Sequence, residues 1–411
     1  MAKHLKWLSF RMALSEVFAP QPVDSGPELP GDLAVMLTGG GARAAYQVGM
    51  LKGLATLFPD LQFQIITGVS AGAINAMFLA AHHGSLADRS ARLEQLWREL
   101  QCHHVFRPNY AALLPFRTAL KIALPRLGSR PRGMLNAGPL AATLRRVLDT
   151  PYRNQPIEGV RRNLEEGTLK AVSLMTLDYT TGQSVRWVQG RSVDVFEGPN
   201  RRSAPTEMTV EHVLASASLP FVFPAVRIRD RWYGDGGIRL SAPLSAAVHL
   251  GARRIIAMST GYQRTPAEAN TPAVRGYPPA AQIIGQLLNA IFLDVIDEDV
   301  VRMERLNEMI RKLPHEDRDG FKPIDLCVLR PSEDIGRLAA EYEKYLPRAM
   351  KLFMRSVGSR ETDSADLVSM LMFEPRYIEV LISMGERDVA SRATEIRAFL
   401  GRPAPAANAA V

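Results

Sequence analysis

The sequence predicts an α/β protein built on a buried parallel sheet, because one pattern occurs twice near its start. LAVMLTGGG, from Leu33, is a short apolar strand running into glycines, and ARAAYQVGMLKGLATL after it carries helix-forming small and apolar residues. QFQIITG and SAGAINAMFLAAHHG repeat the order strand, tight turn, helix. Strands that are apolar throughout are buried on both faces, and their alternation with helices calls for parallel neighbours joined by crossovers.

The remaining elements follow in order. LKAVSLMTLDY and SVRWVQG read as a paired strand unit, VEHVLASASLP as a helix, and RIRDRWYGDGG as one strand ending in a tight turn. RRIIAMSTG is another core strand, and residues 262–279 form a loop rich in Pro, Ala and Gly. The stretch from Ala280 to Leu313 is a long amphipathic helix, broken once at most. IDLCVLRP is a late strand, and the rest to Leu400 is helical. There are no internal repeats.

Composition bounds the function classes. The chain has 411 residues, 46% hydrophobic and 22% charged, enough for a large core and unlike a disordered chain. Cys102 and Cys327 make no disulfide framework and have no metal-ligand spacing, which fits a reducing compartment. No stretch approaches the ~18 uninterrupted apolar residues of a membrane span. The start, MAKHLKWLSFRMALSEVF, has charges placed as in a signal peptide, but Arg11 breaks its apolar run and no small-residue cleavage site follows. It reads as a disordered leader or a short amphipathic anchor.

The net charge of +8 is carried by 41 arginines and 9 lysines. From Gln101 to Arg153 stand nine basic residues and one acid, Asp149, interleaved with Leu113, Leu114, Phe116, Leu120, Ile122, Leu124 and Leu127. Basic and apolar together suit an anionic lipid surface, against the alternative of a solvated arginine-rich face. No nucleic-acid motif accompanies the patch, so a nucleic-acid partner is not expected.

Three motifs carry chemistry. GVSAG, Gly68–Gly72, lies between a strand and a helix. A serine at such an elbow adopts a strained backbone that exposes its hydroxyl, and the flanking glycines remove colliding side chains. GGGARAA, Gly39–Ala45, can turn backbone N–H groups into a concavity that holds a phosphate or an oxyanion. It also fits a loose G-x-G-x-x-A dinucleotide fingerprint. That use needs an acid at the end of the next strand, and Asp60 precedes the strand instead. Asp235-Gly236-Gly237 is a turn that gains meaning from the other two. Of the eight histidines, none has the spacing or turn chemistry of a general base: His82 and His83 lie about 18 Å beyond Ser70 along a helix, and His212 and His249 fall inside helices.

In this order the motifs resemble the patatin-like phospholipase family, over about Ala34 to Leu400 and most strongly at Leu33–Gly84 and His212–Pro243. ASASLPFVFPAV looks like the family's segment before the aspartate strand, and SMLMFEPRYIEVLISMGERDV is similar to the closing helices of bacterial members. The resemblance implies a three-layer α/β/α fold with a mainly parallel sheet and C-terminal helices. It implies Ser70 as nucleophile and Asp235 as base of a dyad, with Gly68, Gly72, Gly236 and Gly237 shaping their turns. It implies an oxyanion loop of Gly39, Gly40, Gly41, Ala42 and Arg43, completed by the N–H of Ala71. Two positions depart from the family: Ala44 replaces a glycine, and Ser241-Ala242-Pro243 stands where N-x-P is frequent. Neither removes a catalytic atom.

The expected function is therefore a lipid acyl hydrolase without metal or organic cofactor, cytoplasmic or peripheral at the membrane. A catalytically quiet lipid-binding scaffold and a soluble-ester or thioester hydrolase are the alternatives. The expected organisation is a leader and linker over 1–31, a catalytic core over 32–260 with a basic helical insertion at about 101–153, a helical part over 261–400, and a disordered tail over 401–411.

Overall fold

The computed structural model describes residues 32–108, 133–191, 195–270, 277, 280–318, 320–347, 350–351 and 366–401. The leader, most of the tail and the centre of the basic segment, including Leu113, Phe116, Arg126 and Arg132, lie outside the described residues.

Eleven strands are present among them: β1 Leu33–Leu37, β2 Ile65–Val69, β3 Arg107–Pro108, β4 Leu135–Asn136, β5 Ala171–Asp178, β6 Ser184–Gly190, β7 Arg201–Pro205, β8 Val226–Ile228, β9 Arg231–Asp235, β10 Arg254–Met258 and β11 Asp325–Leu329. Nine of them form the central sheet, along the path β11-β10-β1-β2-β5-β6-β7, with β9 pairing β5 and β8 pairing β9. The five strands from β11 to β5 are all parallel. The paired unit read from the sequence is the antiparallel pair β5–β6.

The principal helices are α1 Ala45–Leu57, α2 Ala71–Ala81, α3 Leu86–Glu99, α4 Gly138–Val147, α5 Glu158–Glu166, α6 Val210–Ser216, α7 Ala280–Phe292, α8 Val295–Lys312, α9 Asp366–Leu371 and α10 Pro375–Ser391. The long helical stretch is thus two helices, interrupted at Leu293 and Asp294.

The sheet is covered on both faces, as its sequence requires. In β1, Leu33, Val35 and Leu37 point into the larger core while Ala34 and Met36 point into the smaller one, the two-residue period of a doubly buried strand. α10 packs on α1 at close range. A Cβ on Gly49 would overlap the Ile382 carbonyl oxygen, and one on Gly385 would overlap that of Tyr46. Only glycine allows the backbones so near.

One sequence expectation is corrected here. RIRDRWYGDGG is not a single strand but the hairpin β8–β9, reversed at Arg229 and Asp230, with Arg229 at φ 54°. No glycine or asparagine marks that turn, so local chemistry gave no sign of it.

Candidate active site

The site grows from two strand ends. β2 ends at Val69, and Ser70 follows at φ 56° and ψ −130° before α2 begins at Ala71. A left-handed φ is costly for a residue with a side chain and persists only where its surroundings enforce it. Here they do. A Cβ on Gly68 would meet Ala76 Cβ at 2.7 Å, and one on Gly72 would overlap the Leu37 and Thr38 carbonyl oxygens. The Ser70 N–H donates to Ser216 Oγ on α6 at 3.1 Å, which fixes the elbow from the other side.

β1 ends in the glycine loop. Gly40 has φ 137° and Gly41 φ 60°, conformations suited to glycine, and the loop lies directly on the serine: a Cβ on Gly39 would stand 2.9 Å from Ser70 Cβ. Thr260, just beyond β10, donates its hydroxyl to the Gly39 carbonyl, and its N–H reaches Thr38 Oγ1 at 3.1 Å. The Gly40 and Gly41 N–H groups donate to no backbone or side-chain acceptor among the described residues. They are thus available to a ligand.

Ala42 and Arg43 are placed differently. Both are buried in the short turn that leads into α1, away from the cavity over Ser70. The Arg43 guanidinium donates to Asp366 Oδ1 at 2.6 Å and to Ser369 Oγ at 2.6 Å. Asp366 also accepts from Asn289 Nδ2 at 2.7 Å. Arg43 is therefore a tether between the glycine loop and α9.

β9 delivers Asp235 at its last position, opposite Thr176 of β5. The carboxyl is fully buried. Its Oδ1 accepts from the Gly237 N–H at 2.9 Å, while Oδ2 has no hydrogen-bond partner among the described residues. Burial pushes its pKa up to about 7, and the nearby Ser70 hydroxyl and the Gly237 N–H hold it down from a still higher value. The serine is close enough to exert that pull without being aligned as a formed hydrogen bond. Such pairs are often loose without substrate.

A cavity of about 740 Å³ opens over Ser70, Ala71, Gly40 and Gly41. Its walls are apolar side chains such as Leu96, Trp97, Leu144 and Phe373, and apart from Ser70 the polar side chains lining it are Thr143 and the Trp97 indole. The wall is tied to the glycine loop by a buried polar chain. Trp97 Nε1 donates to Asn75 Oδ1 at 2.8 Å, Asn75 Nδ2 to Gln47 Oε1 at 3.0 Å, and Gln47 Nε2 to the Thr38 carbonyl at 2.9 Å.

No histidine lines this cavity among the described residues. His212 is buried on α6, with Nδ1 accepting the Thr209 N–H at 3.1 Å and its ring edge-on to Trp187; burial lowers its pKa to about 4. His82 stacks on Phe78, and His83 lies 3.0 Å from Glu166. No group of acids, histidines and cysteines among the described residues could hold a metal ion.

Ser216, Thr260, Trp97, Phe292 and Met370 belong to the site without a sequence signal. Phe292 fills the space beside Gly237, where an added Cβ would overlap its ring, and the Met370 carbonyl stands against Gly41.

The patatin-like phospholipase family model matches residues 35–248, just over half of the chain, so Phe292, Asp366 and Met370 complete the site from beyond the match. No curated protein matches the chain. Among solved structures, the chain is similar to human GIVD cytosolic phospholipase A2, at 14% identity and a TM-score of 0.42, covering 90% of this chain and 60% of that one. It is also similar to VipD from Legionella pneumophila, at 12% identity and 0.32, covering 94% and 91%. For the type III effector ExoU the values are 13% and 0.35, covering 89% and 53%. The chain thus spans less than two thirds of the length of the first and last of these.

Proposed function

The chain belongs to the patatin-like phospholipase family, and from that premise we propose that it is a serine acyl hydrolase acting on ester bonds of lipids. The observation that carries this reading is the strained Ser70 at the floor of an apolar cavity, with a buried carboxyl beside it and free glycine N–H groups over it.

In the proposed reaction Asp235 takes the Ser70 proton as Ser70 Oγ attacks the ester carbonyl. A carboxyl with a pKa of about 7 is ionised in half the molecules at that pH, and its basicity is matched to the task better than that of an exposed aspartate. The tetrahedral oxyanion is stabilised by the N–H groups of Gly40, Gly41 and Ala71, at the N-terminal end of α2. Such fixed donors usually contribute more to the rate of acyl transfer than any other feature of a site. Protonation of the leaving alcohol by Asp235 releases it and leaves an acyl-serine. Water, deprotonated by Asp235, then attacks the acyl-serine, and Asp235 returns that proton to Ser70 Oγ as the fatty acid leaves. Each step needs one proton to pass between Asp235 and an oxygen, so the dyad closes the cycle without a histidine.

The cavity supports a lipid over a polar ester, since its walls are almost wholly apolar. Lipid would reach it from the side of the basic segment. Phe221, 86% exposed, sits between the cavity-lining Leu219 and Phe223, and its carbonyl accepts from the Met134 N–H at 3.0 Å, where that segment re-enters the described residues. Peripheral contact with an anionic membrane through Gln101–Arg153 is part of this proposal. No helix among the described residues is long and apolar enough to cross a membrane.

The test is active-site labelling with a fluorophosphonate together with hydrolysis of phospholipid and of a small soluble ester. Wild-type protein should label and turn over; Ser70→Ala should do neither while keeping its melting temperature. Undiminished turnover by folded Ser70→Ala protein would refute the reading.

A further inference from the structure

The hydroxyl of Thr260 is buried against the glycine loop and takes no part in the proton transfers set out above. Strand register puts it there. β10 and β1 are parallel neighbours with Met258 beside Leu37, so two residues further on the chain sets Thr260 beside Gly39. The residue is fully buried, and its N–H donates to Thr38 Oγ1 at 3.1 Å. Its own Oγ1 donates to the Gly39 carbonyl. The Thr38 hydroxyl is farther from that carbonyl, at 3.4 Å, and nearer the Met258 carbonyl, at 3.2 Å, so Thr260 is the principal donor.

The Gly39 carbonyl belongs to the same peptide unit as the Gly40 N–H. No peptide bond among the described residues is cis, so this unit is planar and trans, and its C=O and N–H point in opposite directions. Holding the carbonyl on Thr260 therefore turns the N–H away from Thr260. That is the side of the cavity, which Gly40 and Gly41 line together with Ser70 and which Thr260 does not line. The unit has glycine at both ends, where no side chain opposes a flip of the peptide plane. A flip would put a carbonyl oxygen in place of the N–H and reverse the sign of the dipole that meets a developing oxyanion. A Cβ on Gly40 would overlap Thr260 Oγ1, so the hydroxyl also packs directly on the loop.

We infer that Thr260 is a positioning residue of the oxyanion hole: its hydroxyl fixes the Gly39–Gly40 peptide so that the Gly40 N–H donates to the oxyanion. This rests on the hydrolase reading and gives a role in it to a residue beyond the family match over 35–248. Thr260 acts only through the backbone. Loss of its hydroxyl should therefore weaken binding of the transition state and spare that of the ground state.

A series of full-length variants graded by donor strength tests the inference. Thr260→Ser keeps the hydroxyl, Thr260→Cys offers a weak S–H donor, and Thr260→Val keeps the shape without a donor. On a soluble ester kcat should fall in that order, by about a hundredfold for Thr260→Val, the lower end of the loss when an oxyanion donor is removed outright. KM should change little. An alkyl trifluoromethyl ketone adds Ser70 Oγ at its carbonyl carbon, giving a tetrahedral oxyanion as the serine proton passes to Asp235. Affinity for it should fall in step with kcat/KM. The midpoint of the pH profile should stay at about 7, because Asp235 is untouched. Active sites are counted by the endpoint of fluorophosphonate labelling, so that a smaller folded fraction is not read as slower turnover. Activity that follows melting temperature instead of donor strength, or wild-type kcat and ketone affinity in Thr260→Val, would overturn the inference. Wild-type protein that neither labels nor turns over would bring down the hydrolase reading and this inference with it. Active wild type beside an equally active Thr260→Val brings down the inference alone.

Discussion

The two cavities of the sheet lie on opposite faces and are opposite in chemistry. One is walled by leucines and aromatics around the strained Ser70; the other is walled by arginines and serines, with Arg186 on β6 and Arg201 on β7. The difference shows how one sheet can carry two unlike sites. Along β5 and β6 successive residues alternate between the faces, so Trp187 and Thr176 belong to one side and Arg186 and Met175 to the other. The apolar cavity would draw the proposed reactivity from burial, which removes water from the Asp235 carboxyl.

The sharpest test of the apolar side is its buried base. Asp235→Asn should lower turnover of any ester by about three orders of magnitude or more, since no histidine or second carboxyl lines the cavity among the described residues. The same variant should be more stable than wild type at high pH. The folded pKa, about 7, lies above the ~3.9 of an unfolded aspartate, so the folded state binds the extra proton. Wild-type stability is therefore highest below pH ~4 as far as this group is concerned, and is lost as pH rises through about 7. Melting temperatures of the two proteins should converge near pH 4 and separate in favour of Asp235→Asn near pH 8. No separation would mean that the carboxyl is not destabilised by its burial.

Next in size is the tether. Arg43 and Asp366 are 3% and 6% exposed, and removing one member of such a buried pair typically costs about 3–5 kcal/mol because the other charge is stranded. Arg43→Ala should lower the melting temperature markedly and slow hydrolysis, whereas Asp235→Asn should cost most of the hydrolysis without loss of stability. If Arg43→Ala kept full stability, the link between the glycine loop and α9 would not hold the site together.

Filling the cavity should separate substrates. Leu144→Trp on α4 should reduce hydrolysis of long-chain esters about tenfold and leave a short soluble ester nearly unchanged, measured as kcat/KM against chain length. An equal loss on both would place the acyl chain elsewhere. The mildest effect is that of pH on wild type. Its kcat/KM should fall as pH drops through about 7, following the ionised fraction of Asp235. Arg201→Gln, on the other face, should leave that profile unmoved.

Much of the fold was legible because its signals are local. The doubly buried strands β1 and β2, the elbow GVSAG and the helices after each strand follow from periodicity and glycine placement. The hairpin β8–β9 was not legible, because Arg229 adopts a positive φ that its residue type does not advertise. The edge strand β7, RRSAP, has neither alternation nor apolar content to announce it; pairing with β6 makes it a strand.

Arg43 marks the limit of motif reasoning most clearly. Its position in GGGAR implied a place in the oxyanion loop, yet its side chain turns to Asp366, more than three hundred residues along the chain. A motif fixes the backbone around a residue, but the direction in which a long side chain points depends on which distant group offers it a partner.

By itself the sequence determined the alternation of strands and helices and the strained serine, because each depends on residues within a few positions of one another. Only the tertiary structure decided that Asp235 is fully buried beside Ser70, that Phe292 and Met370 close the site from beyond the family match, and that the arginines at 186, 201 and 239 share one cavity. Desolvation, close packing and charge convergence are properties of the space between segments, and chain neighbours do not fix that space.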